Sequence, residues 1–158
     1  MNQLINIWRA DSRRWAGVLL AAVGLADSAY LTYIKLANAQ ASCTIGDCNA
    51  VNSSTYAEIA GIPIALLGLG AYAAIGLLLA LEDRAEWLAT YSPLGVFFLA
   101  LTGTLYSAYL TYVELFVIDA VCPYCVVSAV VITSILMLSI WRLARPADRT
   151  GADSAKTS

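Results

Sequence analysis

Four long runs almost free of charge, at roughly Trp15 to Lys35, Ile62 to Leu81, Leu94 to Val113 and Ala120 to Trp141, constrain this chain more than any other feature. A helix needs about 20 apolar residues to cross the hydrocarbon core of a bilayer, and each run has that length. The last three contain no charged residue, while the first holds Asp27 and ends at Lys35. Only 13% of the 158 residues are charged, against about 25% in a soluble domain, so the chain cannot clothe a water-facing surface. The expected fold is an all-α integral membrane protein, a four-transmembrane-helix bundle. The ten-residue alternation of an outer-membrane barrel is missing. There is no histidine, which excludes imidazole catalysis and His-ligated haem or metal. Lipid is the expected surrounding partner, and no nucleic-acid partner is expected.

The flanking charges orient the bundle, because lysine and arginine gather on the cytoplasmic side of short loops. Arg9, Arg13 and Arg14 precede span one, Arg84 lies between spans two and three, and Arg142, Arg145, Arg149 and Lys156 follow span four. Eight of the nine basic residues thus share one side, and only Lys35 falls on the other. Both termini are expected in the cytoplasm and the 1–2 and 3–4 connections outside, where Asp47, Glu58, Glu114 and Asp119 also fall. The chain then divides into a cytoplasmic segment 1–14, a transmembrane domain 15–143 with an outer loop at about 36–60, and a disordered cytoplasmic tail 144–158. Ala37-Asn38-Ala39 has the form of a signal-peptide cleavage site. Signal h-regions run about 7–15 apolar residues, so the longer run carrying Asp27 is expected to remain as span one.

An internal repeat links the two halves. Ser28-Ala29-Tyr30-Leu31-Thr32-Tyr33-Ile34-Lys35-Leu36 returns 79 residues later as Ser107-Ala108-Tyr109-Leu110-Thr111-Tyr112-Val113-Glu114-Leu115, with seven identities in nine. The same offset carries Cys43 onto Cys122. Each half reads as span, cysteine-bearing outer connection, span, which predicts two helix pairs related by an axis along the membrane normal.

All four cysteines lie in the outer connections or where one joins a span. The outer side of a bacterial inner membrane permits disulfides, and an even count there points to thiol–disulfide chemistry. Cys122-Pro123-Tyr124-Cys125 opens span four. This CxxC spacing sets two sulfurs one helical turn apart, and the positive end of the helix dipole stabilises a thiolate, lowering a thiol from about 8.5 toward roughly 3.5–7.5. Pro123 suits the first helical turn. The competing reading is a disulfide that only staples the start of span four. Cys43 and Cys48 flank Thr44-Ile45-Gly46-Asp47 in the longer connection, where a polar, glycine-containing loop can swing to bring a thiolate in line with a disulfide. A static staple is the alternative there as well. Four thiolates also satisfy the ligand count of structural zinc, although such sites usually fold soluble ribbons or fingers.

The run Cys48-Asn49-Ala50-Val51-Asn52-Ser53-Ser54, the stretch Gly61-Ile62-Pro63-Ile64-Ala65-Leu66-Leu67-Gly68-Leu69 entering span two, and the CxxC heading span four resemble bacterial homologues of vitamin K epoxide reductase. The resemblance covers all four spans. It implies a four-helix bundle around a quinone, either ubiquinone or menaquinone, with the CxxC beside the ring. Carried onto this chain, it implies that Cys122 and Cys125 are the quinone-side pair, Cys43 and Cys48 the shuttle pair, and Ser54 the loop serine, with Cys125 and Ser54 nearest the quinone. It also implies a separate periplasmic or extracytoplasmic thioredoxin-like (DsbA-like) redox partner, because relatives that carry such a domain have it fused after span four.

The animal enzymes have a tyrosine four residues after the second CxxC cysteine. Here that position is Ala129, which points away from epoxide reduction and toward ordinary quinone reduction. The expected activity is a quinone-linked thiol:disulfide oxidoreductase of the bacterial inner membrane that generates disulfides. Cys48 is expected to meet the partner, and Cys43 to meet Cys122 as the repeat suggests. The alternative function is a transporter or assembly factor whose loop disulfides are structural. Three further features are set aside for the bundle: Gly61, Gly68, Gly70 and Gly76 for close helix approach, Leu66, Leu67 and Leu69 as a possible pocket wall, and Asp27 as an intramembrane carboxylate, a residue type that is functional or paired.

Overall fold

A computed structural model describes residues 2–39, 43, 46–82 and 84–144, with the backbone alone for 2–11 and 86. Helix α1 (Asn2–Ala37) is followed by a short helix α2 (Cys48–Ser53), a 3-10 turn (Thr55–Ala57) and a two-stranded hairpin, β1 (Glu58–Ile59) with β2 (Ile62–Pro63). Helices α3 (Ile64–Leu81), α4 (Glu86–Val113) and α5 (Pro123–Leu143) complete the chain, with a π-helical turn (Glu114–Ile118) after α4. Among the described residues, four helical segments are long and apolar enough to span a membrane: Ser12–Ala37, Ile64–Leu81, Trp87–Ile118 and Pro123–Leu143. The protein is therefore a multi-pass all-α membrane protein. The expected tail lies outside the described residues from 145 onward.

Packing closes the helices into a ring in which α1 and α4 each touch both α3 and α5. Tyr72, Ile75 and Leu79 of α3, Val96 and Ala100 of α4, and Ile132 and Ile135 of α5 meet Ala21 of α1 in the buried centre. Gly24 of α1 lies flat against the Tyr72 ring, which a Cβ at that position would displace. Gly68 and Gly76 allow a similar approach: a Cβ would sit 3.2 Å from Ser28 Oγ and 3.7 Å from Ala21 Cβ. Gly70 faces open space instead. Gly61 is not on the span at all but in the hairpin turn, where Ala60 and Gly61 have φ of 52° and 79°, the paired positive values of a type I′ connection.

Span three differs from expectation at both ends. A start at Leu94 follows from the usual cost of a proline inside a helix, yet α4 begins at Glu86 and runs through Pro93. Tertiary packing offsets the proline, for Ser92 is buried and its hydroxyl donates to the Leu78 carbonyl of α3 at 3.2 Å. At the other end the helix widens rather than stopping at Val113. α1 ends as its sequence dictates: Asn38 takes φ 50° and the Ala39 amide reaches back to the Ile34 carbonyl at 3.1 Å, a Schellman closure. At the far end of the bundle, Arg142 of α5 grips both oxygens of Glu82 at 2.6 Å.

The internal repeat has a structural counterpart. Thr32 donates to the Ser28 carbonyl at 2.7 Å, and Thr111, 79 residues on, donates to the Ser107 carbonyl at 2.9 Å. The equivalent pairs Asp27 and Tyr106, Ser28 and Ser107, and Leu31 and Leu110 all line one cavity.

Candidate active site

Local sequence brings both cysteine pairs to one place. Asp119 adopts a left-handed φ of 52° that ends the π-helical turn, and the chain reverses into α5 with Cys122 extended at its N-cap and Pro123 behind it. On the other side, Asp47 accepts the Ala50 amide at 3.0 Å and so caps α2, whose first residue is Cys48. Gly46, at φ 85°, presses directly on the Val121 carbonyl, and any Cβ there would collide with it. Only glycine tolerates both conditions at once. Lys35 of α1 locks this arrangement by donating to the Asn52 carbonyl at 2.6 Å and pairing with Glu58 at 2.9 Å.

Cys43 and Cys48 form a disulfide with their Cα atoms 6.2 Å apart, while Cys122 and Cys125 are free thiols. Cys48 has no exposed surface and shares a buried cluster with Ile34, Val51 and Cys122, against which Cys43 and Cys125 pack. The described part of the loop is thus packed against the ends of α1 and α5. Of its two cysteines, Cys43 is half-buried, whereas Cys48 is the one enclosed in the same cluster as Cys122. The repeat aligned Cys43 with Cys122 in sequence, but α2 turns Cys48 inward.

A hydrogen bond from the Cys125 thiol holds the Cys122 thiol below its ordinary value, helped by the Cys125 and Tyr124 amides at the start of α5 and opposed by burial and by the charge of Glu114. The direction is the one expected of a CxxC, with the partner thiol contributing more than the amides of the helix start.

Beneath the cysteines lies a cavity of about 350 Å³. Cys122, Cys125, Ser54, Asn52, Asp27 and Glu114 are among the polar residues on a wall whose surface is predominantly apolar. Of the two adjacent serines, Ser54 reaches the cavity and donates to the Val51 carbonyl at 2.7 Å. Ser53 is exposed and bonds to the Asn49 carbonyl at 2.6 Å. Leu67 lines the cavity with Ala65, Gly68 and Ala71, whereas Leu66 and Leu69 take no part. Such a site, in the usual size range and with a few convergent polar groups, fits a small flat apolar molecule.

Two features escaped the sequence reading. Tyr72 hydrogen-bonds both the hydroxyl and the carbonyl of Ser128 at 3.0 Å, tying α3 to α5 at the cavity wall. Glu114, expected in the outer connection, is instead buried at 3% exposure. Its Oε2 accepts the Cys122 amide at 3.2 Å. The signal was present, since Glu114 stands between Val113 and the apolar run Leu115-Phe116-Val117-Ile118. Extending span three to Ile118 would have marked it as an intramembrane acid in the same way as Asp27.

Comparison with known proteins agrees with this geometry. Over 126 residues the chain is 32% identical to the thiol-disulfide oxidoreductase LTO1 of Arabidopsis thaliana, a match covering 72% of this chain and 32% of that protein. The chain therefore spans about a third of the length of that relative. The model of the Vitamin K epoxide reductase family matches residues 15–140, from the start of span one into the last turns of span four and across both cysteine pairs. This chain belongs to the vitamin K epoxide reductase family.

Proposed function

We propose that the protein is a membrane thiol:disulfide oxidoreductase that takes electrons from a thioredoxin-like dithiol partner and delivers them to a lipid-soluble quinone, generating disulfides in the partner. One observation carries the reading: an oxidised loop pair stands against a reduced CxxC at the edge of an apolar cavity. The partner thiolate attacks Cys43, giving a mixed disulfide and releasing Cys48 as a thiolate. The partner's second thiol resolves that bond and leaves oxidised. Cys48 then attacks the Cys122–Cys125 disulfide at Cys122, and Cys125 departs as a thiolate at the cavity. Cys43 closes back onto Cys48, freeing Cys122.

The bound quinone supplies a two-electron acceptor. The cavity's size and apolar wall suit its ring, with Ser54 and Cys125 as the nearest contacts. Two carboxylate oxygens on or beside the cavity, Asp27 Oδ2 and Glu114 Oε1, are buried without a hydrogen-bond partner among the described residues, which suits a site where a reduced ring must gain protons. Asp27 supplies one of them and is recharged from water. The excess of Lys and Arg on one side supports an orientation with both termini cytoplasmic, segments 1–14 and 144–158 inside, and the cysteines on the outer face, in a bacterial inner membrane as the resemblance to bacterial homologues implies.

The test is anaerobic titration of the purified, reduced protein with ubiquinone or menaquinone while free thiols are counted. Stoichiometric loss of two thiols per quinol formed is expected. Thiols that stay unchanged under excess quinone would refute the scheme and favour a structural role for the cysteines.

A further inference from the structure

Glu114 has no part in the thiol exchange, yet it is the most deeply buried carboxylate near the CxxC. It is 3% exposed, its Oε2 holds the Cys122 amide, and its Oε1 has no hydrogen-bond partner among the described residues. Burying an oxygen of that kind costs roughly 1–3 kcal/mol or more when it goes unpaired. The titratable side chains that share the cavity wall with it are Asp27 of α1, Tyr56 of the loop, Tyr72 of α3, Tyr106 of α4, and Cys122 and Cys125 of α5. No lysine or arginine is among them, so nothing there locks the carboxylate into an ion pair. It lines the cavity together with both thiols, and its negative charge opposes ionisation of Cys122.

We propose that Glu114 accepts the Cys125 proton when the CxxC is oxidised and passes it to the quinone. The inference rests on the quinone-linked reading above and names the proton route at the same site. Before the step, Cys122 is a thiolate and Cys125, which has taken up a proton from water after its release as a thiolate, is a thiol. The Cys125 S–H bond breaks, its proton goes to Glu114 Oε1, and the Cys122–Cys125 S–S bond forms. The two electrons leave for the quinone, one ring oxygen takes the Glu114 proton and the other takes the proton delivered through Asp27. Cys122 thiolate, Cys125 thiol, quinone and one proton from water thereby become a disulfide and a quinol. The hydrogen bond from the Cys122 amide fixes the carboxylate at the head of the CxxC. A positioned acid–base group of this kind typically contributes 10²–10⁴-fold.

Glu114→Gln keeps the shape and the acceptor for the Cys122 amide while removing the proton acceptor. Two measurements separate its effects. In the reduced protein without quinone, loss of the negative charge favours the thiolates, so iodoacetamide alkylation of the CxxC speeds up near neutral pH and its pH midpoint falls. With menadione as the probe, quinol formation by the same variant slows about 100-fold. Faster alkylation with slower reduction is the expected pair. A variant that reduces menadione at the wild-type rate overturns the proposal, and so does one slowed in both assays, which marks a structural role. If the wild-type protein itself fails to reduce menadione, the quinone reading has failed, and this outcome is distinct from an active wild type with an equally active variant.

Discussion

The chemistry of this protein is set by which sulfur is buried. Cys48 is fully enclosed beside Cys122, and Cys43 is half-buried, so a relay in the order partner, Cys43, Cys48, Cys122, Cys125 needs no large displacement of the chain. Exchange proceeds through in-line attack on one sulfur at a time, and removing the last one in the series should stall the intermediate before it. Cys125→Ser is therefore expected to abolish quinone reduction and to accumulate a Cys48–Cys122 mixed disulfide, detectable by mass spectrometry of non-reduced peptides. A trapped Cys43–Cys122 link would reverse the order of the loop cysteines. Gly46 belongs to this scale as well. Its positive φ and its contact with the Val121 carbonyl make it the point where the loop can come down onto the CxxC, which no residue with a Cβ reproduces.

At the level of elements, the short α2 and its hairpin act as a cap docked on the ends of the spans. Lys35 is the main clamp, joining the last turn of α1 to the Asn52 carbonyl and to Glu58. Glu58 is 40% exposed, so solvent screens most of the ion pair and the hydrogen bond to the carbonyl does more of the holding. Replacing Lys35 with methionine keeps the aliphatic stem and removes both contacts. Amide exchange across 48–59 should then speed up about tenfold, on the order of one charged hydrogen bond, with exchange in α3 to α5 unchanged. Equal protection in the variant would show that the cap is held by its apolar cluster alone. The same cap is also seated by apolar contact, because Cys48, Val51 and Ile34 bury one another.

For the whole molecule, the repeat puts equivalent faces of α1 and α4 on one cavity, and the Glu82–Arg142 pair binds α3 to α5 at the opposite end. In intact cells, Ser53→Cys should react with a membrane-impermeant maleimide, whereas Arg84→Cys should react only after permeabilisation, both read by gel shift. Labelling of Arg84→Cys from outside would invert the orientation. The four spans, the CxxC at a helix start and the loop cysteine pair were all legible in the sequence, because apolar run length and cysteine spacing are local quantities that the bilayer and the helix dipole act on directly. The continuation of α4 through Pro93 and the inward turn of Cys48 were not legible, and the burial of Glu114 was signalled only by the apolar run that follows it. Each depends on what a neighbouring element supplies: the Leu78 carbonyl for Ser92, the ends of α1 and α5 for Cys48, and the Cys122 amide for Glu114. Hydropathy and spacing determined that this chain crosses a membrane and which sulfurs belong together. Tertiary contact alone decided which sulfur faces which, because the burial and pairing of a polar group are properties of the space between elements.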